Sequence, residues 1–182
     1  MKSLWNRFWD GENWSDNQNS GLYIHGIDEL KGKGFSIIAI VCDGREGLIQ
    51  SFPDISVQMC QFHQSAIIRR YLTRKPKLAA AKELMEVVNL MKRTDKESFV
   101  GALEVWFKKL EAFLNERSVN PATKKSFYTH KKLRSAYRSL KNNLPWLFTW
   151  YDHFDLNIPT TTNATHCSVA YPVNEGINYC LM

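Results

Sequence analysis

Along this chain the spacing of apolar positions changes at His63, and the change separates two kinds of structure. Before it, Ile37-Ile38-Ala39-Ile40-Val41-Cys42 is a continuous, β-branched apolar run bounded by Gly34 and Gly44. A run this short and this apolar predicts a strand buried on both faces, as inside an α/β sheet. Ile55 to Gln61 predicts a second strand. Between them Gly44 permits a sharp turn, and Arg45–Phe52 reads as a short helix broken by Pro53-Asp54. Upstream, Leu22, Ile24, Ile27 and Leu30 have roughly helical spacing, with Ser20 as N-cap and Gly32 and Gly34 closing the segment. Asp28 and Glu29 are expected to face solvent on that helix. Met1–Asn19 reads as an unmatched polar lead carrying Trp5, Trp9 and Trp14.

After His63 the apolar period becomes helical. Phe62–Thr73 predicts a helix with Ala66, Ile67 and Leu72 inward and Arg69, Arg70 and Arg74 outward. Pro76 fits the first turn of a helix running through Leu78, Leu84, Val87, Val88 and Met91. Thr94 and Glu97 form a capping-box pattern opening a helix whose stripe is Phe99, Leu103, Trp106, Leu110 and Phe113. Asn120-Pro121 is expected to end it. His130–Asn143 predicts a basic helix with Leu133, Tyr137 and Leu140 inward, interrupted at Pro145. An aromatic cluster, Trp146 to Tyr151, then leads to Ile158-Pro159. The residues thus predict an α/β fragment, a two-layer sheet portion with a large all-helical insertion.

Composition changes this picture mainly through charge. Hydrophobic content of 44% in 182 residues suffices for a core, so wholesale disorder is not expected. No apolar run approaches a membrane span, and the polar N-terminal stretch does not resemble a signal peptide. Four cysteines without a disulfide-framework spacing are expected to be reduced, in the cytoplasm. Between Arg69 and Lys141 there are 19 Lys and Arg against 7 Asp and Glu. That surplus of twelve leaves the rest at −6, since the whole chain is +6. Such asymmetry predicts a surface for a polyanion, most readily nucleic acid, bound without strong sequence preference. Arg69, Arg70, Arg74, Lys131, Lys132, Arg134 and Arg138 are the outward candidates. The competing reading is a set of solvated helix faces.

Candidate chemistry lies between the two predicted strands. Asp43 ends the first, and the C-terminal edge of an open α/β sheet is where ligands and reacting groups collect. Seventeen positions on, Cys60 ends the second and opens Cys60-Gln61-Phe62-His63. A strand, one short helix and a second strand would bring both to one edge. Cys60 and His63 have acceptable zinc-ligand spacing, but a structural zinc site needs four ligands. The remaining candidates, His166, Cys167 and Cys180, lie in the tail.

The words IVCDGREGL and VQMCQFH are followed by YLTRKPKLAAAKEL, TDKESFVGALEVWFKKLEAFLNER, YTHKKLRSAYRSLKNNLPWLFTW and IPTTTN. In that order they resemble the Mutator-like superfamily of bacterial insertion-sequence transposases, of DDE type with a C-x-x-H signature, over roughly Gly21 to Ala164. The resemblance implies a ribonuclease H-like core in which three acids hold two Mg²⁺ ions for phosphodiester displacement. It makes Asp43 the second acid and a metal ligand. It makes Cys60 and His63 a signature beside the active site, with His63 near DNA. The implied organisation is a partial ribonuclease H-like core over 20–63, a basic helical insertion over 64–157, and a remnant return with an unmatched tail over 158–182. The implied partners are DNA and a second copy or a full-length transposase, with no membrane.

The resemblance also sets an expectation of incompleteness. The first acid should end an earlier strand, and Asp10, Asp16 and Asp28 have the wrong surroundings. The third should closely follow Thr161-Thr162-Asn163, where Thr165 and His166 stand; Glu175 lies in a tail with no helical period. The expectation is therefore a transposase copy truncated at both ends and inactive, not holding Mg²⁺ productively. The alternatives are a non-catalytic DNA-binding or regulatory protein derived from a transposase, and a helical interaction protein.

Overall fold

The computed structural model describes residues 20–44, 47, 49–162 and 179–181. In chain order its helices are α1 (Ser20–Gly32), α2 (Gln61–Leu72), α3 (Ala79–Leu90), α4 (Lys96–Asn115), α5 (Lys131–Leu147) and α6 (Thr149–Asp152). Its strands are β1 (Ala39–Cys42), β2 (Ser56–Met59), β3 (Arg117–Val119), β4 (Ser126–Tyr128) and β5 (Tyr179–Leu181). The chain forms two compact units, one of residues 1–63 with 145–182 and the other of residues 64–144. Residues 145–157, read from sequence as part of the insertion, fall in the first.

The first unit is built on β1, all four residues of which are buried. Its two faces go to different clusters, as a strand's period of two requires. Ile40 and Cys42 join Ile27 and Leu30 of α1, with Ile37, Phe52 and Val57. Ala39 and Val41 pack on Ile158, with Trp150 and Leu156 against them. Burial on both faces explains the unbroken apolar run. β1 pairs in parallel with β2, Ala39 opposite Ser56 through Cys42 opposite Met59. On its other side β1 pairs in parallel with β5, Ala39 opposite Tyr179 through Val41 opposite Leu181. The sheet order is β2-β1-β5.

The tail, read from sequence only as having no helical period, contributes β5, a strand of three residues that pairs with β1 through its backbone. Between β1 and β2 the described residues hold only a single 3-10 turn, Ile49–Ser51, in place of a helix over Arg45–Phe52. At the other end of α1, Gly34 adopts φ +86°. Its N–H bonds Lys31 O at 2.9 Å and the Phe35 N–H bonds Leu30 O at 3.1 Å. That paired pattern is the left-handed helix stop glycine permits. Asp28 and Glu29 are exposed, as expected.

The second unit packs α3 and α4 through Leu84, Val87 and Val88 on one side and Phe99, Leu103, Trp106 and Leu114 on the other. The Trp106 indole donates to Ala80 O at 3.1 Å, satisfying its buried N–H. Phe107 stacks on Tyr137 of α5 at 4.5 Å. Several boundaries differ from the sequence reading. Ile68 rather than Ile67 is the fully buried isoleucine of α2, and Leu114 rather than Phe113 closes the α4 stripe. Pro76 precedes α3, which starts at Ala79. α5 runs through Pro145 to Leu147. The proline forfeits a single helix hydrogen bond there, two residues from the end.

The insertion is not all-helical. α4 ends at Asn115, and β3 and β4 then form an antiparallel hairpin with Arg117 opposite Tyr128 and Val119 opposite Ser126. Asn120-Pro121 does not end the helix; it opens the hairpin turn between Val119 and Ser126. The Asn120 side chain accepts from the N–H groups of Ala122 and Thr123 at 2.9 and 3.2 Å. Such side-chain mimicry of a turn is characteristic of Asn.

The N-cap of α4 is also one residue later than the capping-box pattern suggests. Asp95, not Thr94, accepts from the Ser98 N–H at 2.7 Å, while the Thr94 hydroxyl bonds back to Leu90 O. The Ser98 backbone N–H holds the Asp95 carboxyl below its ordinary pKa. A folded-state pKa below the unfolded value stabilises the fold above the unfolded pKa, and the gain fades as pH falls through the folded one. Asp95→Ala is therefore expected to unfold at lower denaturant than wild type at neutral pH, the gap closing on acidification below the carboxylate range. Denaturant titrations of Asp95→Ala and Thr94→Ala across that range check this, and a gap for Thr94→Ala of the same size and pH dependence would contradict it.

Candidate functional site at the sheet edge

At the C-terminal edge of the parallel sheet β1 ends in Cys42, and Asp43 follows it, half-buried. The Cys60 N–H donates to Cys42 O at 2.7 Å, so the ladder between β1 and β2 continues one step past the strands. Asp43 and Cys60 are thereby held on neighbouring strand ends. Gly44 makes the turn at φ +84°, and a Cβ there would collide with the Met59 side chain, its Sδ at 2.9 Å. Conformation and space both require glycine after Asp43.

Cys60 and Cys42 are fully buried free thiols. Burial pushes the Cys42 thiol up to about 11, against a smaller opposing effect from the Gly44 N–H. At neutral pH it is a packed neutral thiol. Cys60 instead serves as an anchor, since its Sγ accepts from the Thr162 N–H at 3.3 Å and lies 3.6 Å from the Thr162 hydroxyl. Two residues earlier Thr160 O accepts from the Gln61 N–H at 2.9 Å, satisfying an orphan donor in the first turn of α2. The segment Thr160–Thr162, a hundred residues downstream, is thus pinned to the start of the C-x-x-H stretch. His63 lies in the first turn of α2 against Phe62, ring centroids 5.7 Å apart, and its buried Nδ1 has no hydrogen-bond partner among the described residues.

Sequence reasoning missed the residues that hold this edge together. Gln58 and Gln61 are buried, at 0% and 1% exposure. Both side-chain amides donate to Leu147 O, at 3.0 and 3.1 Å. Gln58 also donates to Met59 O at 2.7 Å and accepts from the Trp150 N–H at 3.0 Å. The Thr149 hydroxyl donates to Val57 O at 2.7 Å. The available signal was a glutamine inside a strand expected to be buried, since a buried amide needs partners.

The basic candidates lie apart from this edge in sequence. Arg70 and Arg74 are exposed and Arg69 is half-buried, on and just after α2. Lys131, Lys132 and Arg138 are exposed on α5. Arg134 was expected outward with them but is half-buried. Its guanidinium donates to Asn115 Oδ1 at 2.6 Å and lies 4.0 Å from the centre of the Tyr128 ring. Among the described residues no three His, Cys, Asp or Glu side chains converge to hold a metal ion. His166, Glu175 and the tail cysteines' side chains lie outside the described residues.

Comparison with protein families matches residues 12–163 to the Mutator family of transposases. The chain belongs to that family. The match begins before Gly21, so residues 12–19, read as unmatched lead, are part of the family region, and it ends at Asn163 of the T-T-N segment. No curated protein and no solved structure gives a match. No helix among the described residues is long and apolar enough to cross a membrane.

Cys60→Ala removes the acceptor of a buried N–H, a loss of about 1–2 kcal/mol for a weak sulfur acceptor. We expect the Thr162 amide to exchange hydrogen faster in this variant while α3 and α4 are unchanged. Hydrogen-exchange mass spectrometry reads both, and unchanged protection around Thr162 would show that Cys60 does not pin the segment.

Proposed function

We propose that this chain acts on DNA in transposition, with Asp43 as a metal-ligating acid of a ribonuclease H-like DDE site and Cys60–His63 as the signature that organises its surroundings. The observation supporting this reading is convergence. Asp43, Cys60 and Thr160–Thr162 are far apart in sequence, yet the hydrogen bonds of Cys60 to Cys42 and Thr162 bring their segments to one sheet edge. In a complete site of that type, Asp43 would be one of three acids holding Mg²⁺, which would supply Lewis-acid activation for phosphodiester displacement. The chain's own part is to present a carboxylate on a strand end and to fix the turn behind it with Gly44. Affinity for DNA would come from the second unit, whose exposed Arg70, Arg74, Lys131, Lys132 and Arg138 suit phosphate contact. The insertion-sequence origin is part of the same proposal.

A single carboxylate does not hold two Mg²⁺ ions against their hydration, and Asp43 is the one acid the family likeness assigns here. The chain by itself is therefore expected to bind DNA without cutting it. Full-length chain titrated onto labelled duplex should lose affinity steeply with salt, by roughly 10³-fold or more between 50 and 200 mM if six or more phosphates are contacted. Strand cleavage with Mg²⁺ or Mn²⁺ should be absent. Cleavage abolished by Asp43→Ala would show a complete site, and no DNA binding at low salt would overturn the DNA reading altogether.

A further inference from the structure

The β3–β4 hairpin has no core of its own. None of its six strand residues is buried, and its apolar members face outward, Val119 at 60% and Phe127 at 46% exposure. A two-stranded ribbon is marginal in water without support. Here the support comes entirely from its ends. At the base the Tyr128 ring has Arg117 4.6 Å and Arg134 4.0 Å from its centre, a cation–π contact from β3 and another from α5. Arg117 Nε also donates to Ser126 Oγ at 2.8 Å. The Thr129 N–H closes onto Glu116 O at 3.0 Å, and Phe113 stacks on His130 at 3.6 Å. At the tip the Asn120 side chain fixes the turn and Lys124 takes the left-handed φ of +55°. The ribbon is thus held in shape while Arg117, Val119, Ser126 and Phe127 stay exposed.

Its charge says what those faces fit. From Arg117 to Lys141 the chain has eight Lys and Arg and no Asp or Glu. Lys124 and Lys125 are exposed at the hairpin tip, and Lys131 and Lys132 open the helix that follows. The DNA major groove is wide enough for a two-stranded ribbon, and its walls are phosphates. Resting on the DNA reading above, we propose that the Arg117–Tyr128 hairpin inserts into the major groove of duplex DNA. Lys124 and Lys125 neutralise phosphates on the walls, and Phe127 makes the apolar contact inside. The hairpin positions the insertion on the duplex; it carries no base-reading pair, so it tracks shape and charge rather than sequence.

The test uses the full chain and a short duplex of arbitrary sequence. The double variant Lys124→Glu/Lys125→Glu should bind on the order of 10- to 100-fold more weakly near 0.1 M salt and lower the salt slope by about two. The control Lys82→Glu/Lys108→Glu makes the same change in net charge on α3 and α4, and should lose far less. Phe127→Ala should weaken binding severalfold with the salt slope unchanged, and thermal melts should match wild type for every variant. Equal losses in the two charge-reversal variants would mean diffuse electrostatics and overturn the hairpin's role. Wild-type binding retained by the hairpin variants would overturn the hairpin alone; no binding by wild type at low salt would overturn the DNA reading with it. Retained duplex binding with loss only of binding to an acidic protein surface would likewise overturn the hairpin's role.

Discussion

Two buried glutamines hold the first unit together across the insertion. The chain leaves the sheet at β2 and returns at Leu147, 89 residues after Gln58. Loop-closure entropy grows slowly with length, so an insertion of that size is tolerable if the return is firmly anchored. Leu147 O, in the last turn of α5, lacks a helix partner. Gln58 and Gln61 supply it with two donors, and in exchange their own buried amides are satisfied. Neither side of this exchange is stable without the other: unpaired buried amides cost about 1–3 kcal/mol each, and so would the orphan carbonyl. Ile158 then packs with Ala39 and Val41, and Trp150 lies against that cluster on the second face of β1. Core burial on that face follows from the polar anchor.

The same device recurs one step further along the edge. Cys60 extends the β1–β2 ladder through its N–H and receives Thr162 through its sulfur. Thr160 O caps α2 through Gln61, so Gln61 takes part in both connections, by backbone and by side chain. Asp43 therefore sits on a strand end whose neighbours are fixed by hydrogen bonds from three separate chain segments. Such rigidity is what a carboxylate needs if it is to present oxygens to a cation without reorganising.

What was legible in the sequence follows this division. β1 could be read because a strand covered on both faces must be apolar at every position. The α4 stripe could be read because Phe99, Leu103 and Trp106 keep one face of a 3.6-residue period. The period alone does not choose between Phe113 and Leu114 at its end, which flank the stripe on either side; Leu114 is buried while Phe113 stacks on His130. The cap moved from Thr94 to Asp95 because both are good caps and only the backbone decides between them. The hairpin was hidden because neither face is buried, which removes the alternation that reveals a strand. Asp43 and Cys60 could be placed at one edge from topology. The Gln58, Gln61 and Thr162 contacts could not, because a hydrogen-bond partner some 90 to 100 residues away leaves no local pattern.

The separation of charge in the chain has a physical reason on the proposed reading. Carboxylates gathered to hold cations repel the phosphates they must act on, and at short range that repulsion is large. On that reading the edge that carries Asp43 gains little affinity for DNA from its own charge. Affinity is then supplied by basic residues on a different part of the chain. Here the second unit holds 19 Lys and Arg against 7 Asp and Glu, and the rest of the chain is net acidic. The acids of the second unit are thinned further between Arg117 and Lys141, where there are none. A module with that charge repels itself, and its stability has to come from packing rather than from ion pairs. That is what α3, α4 and α5 show: Leu84, Phe99, Trp106 and Leu140 are buried, while the salt bridge of Lys109 to Glu83 lies in solvent, where it is worth little.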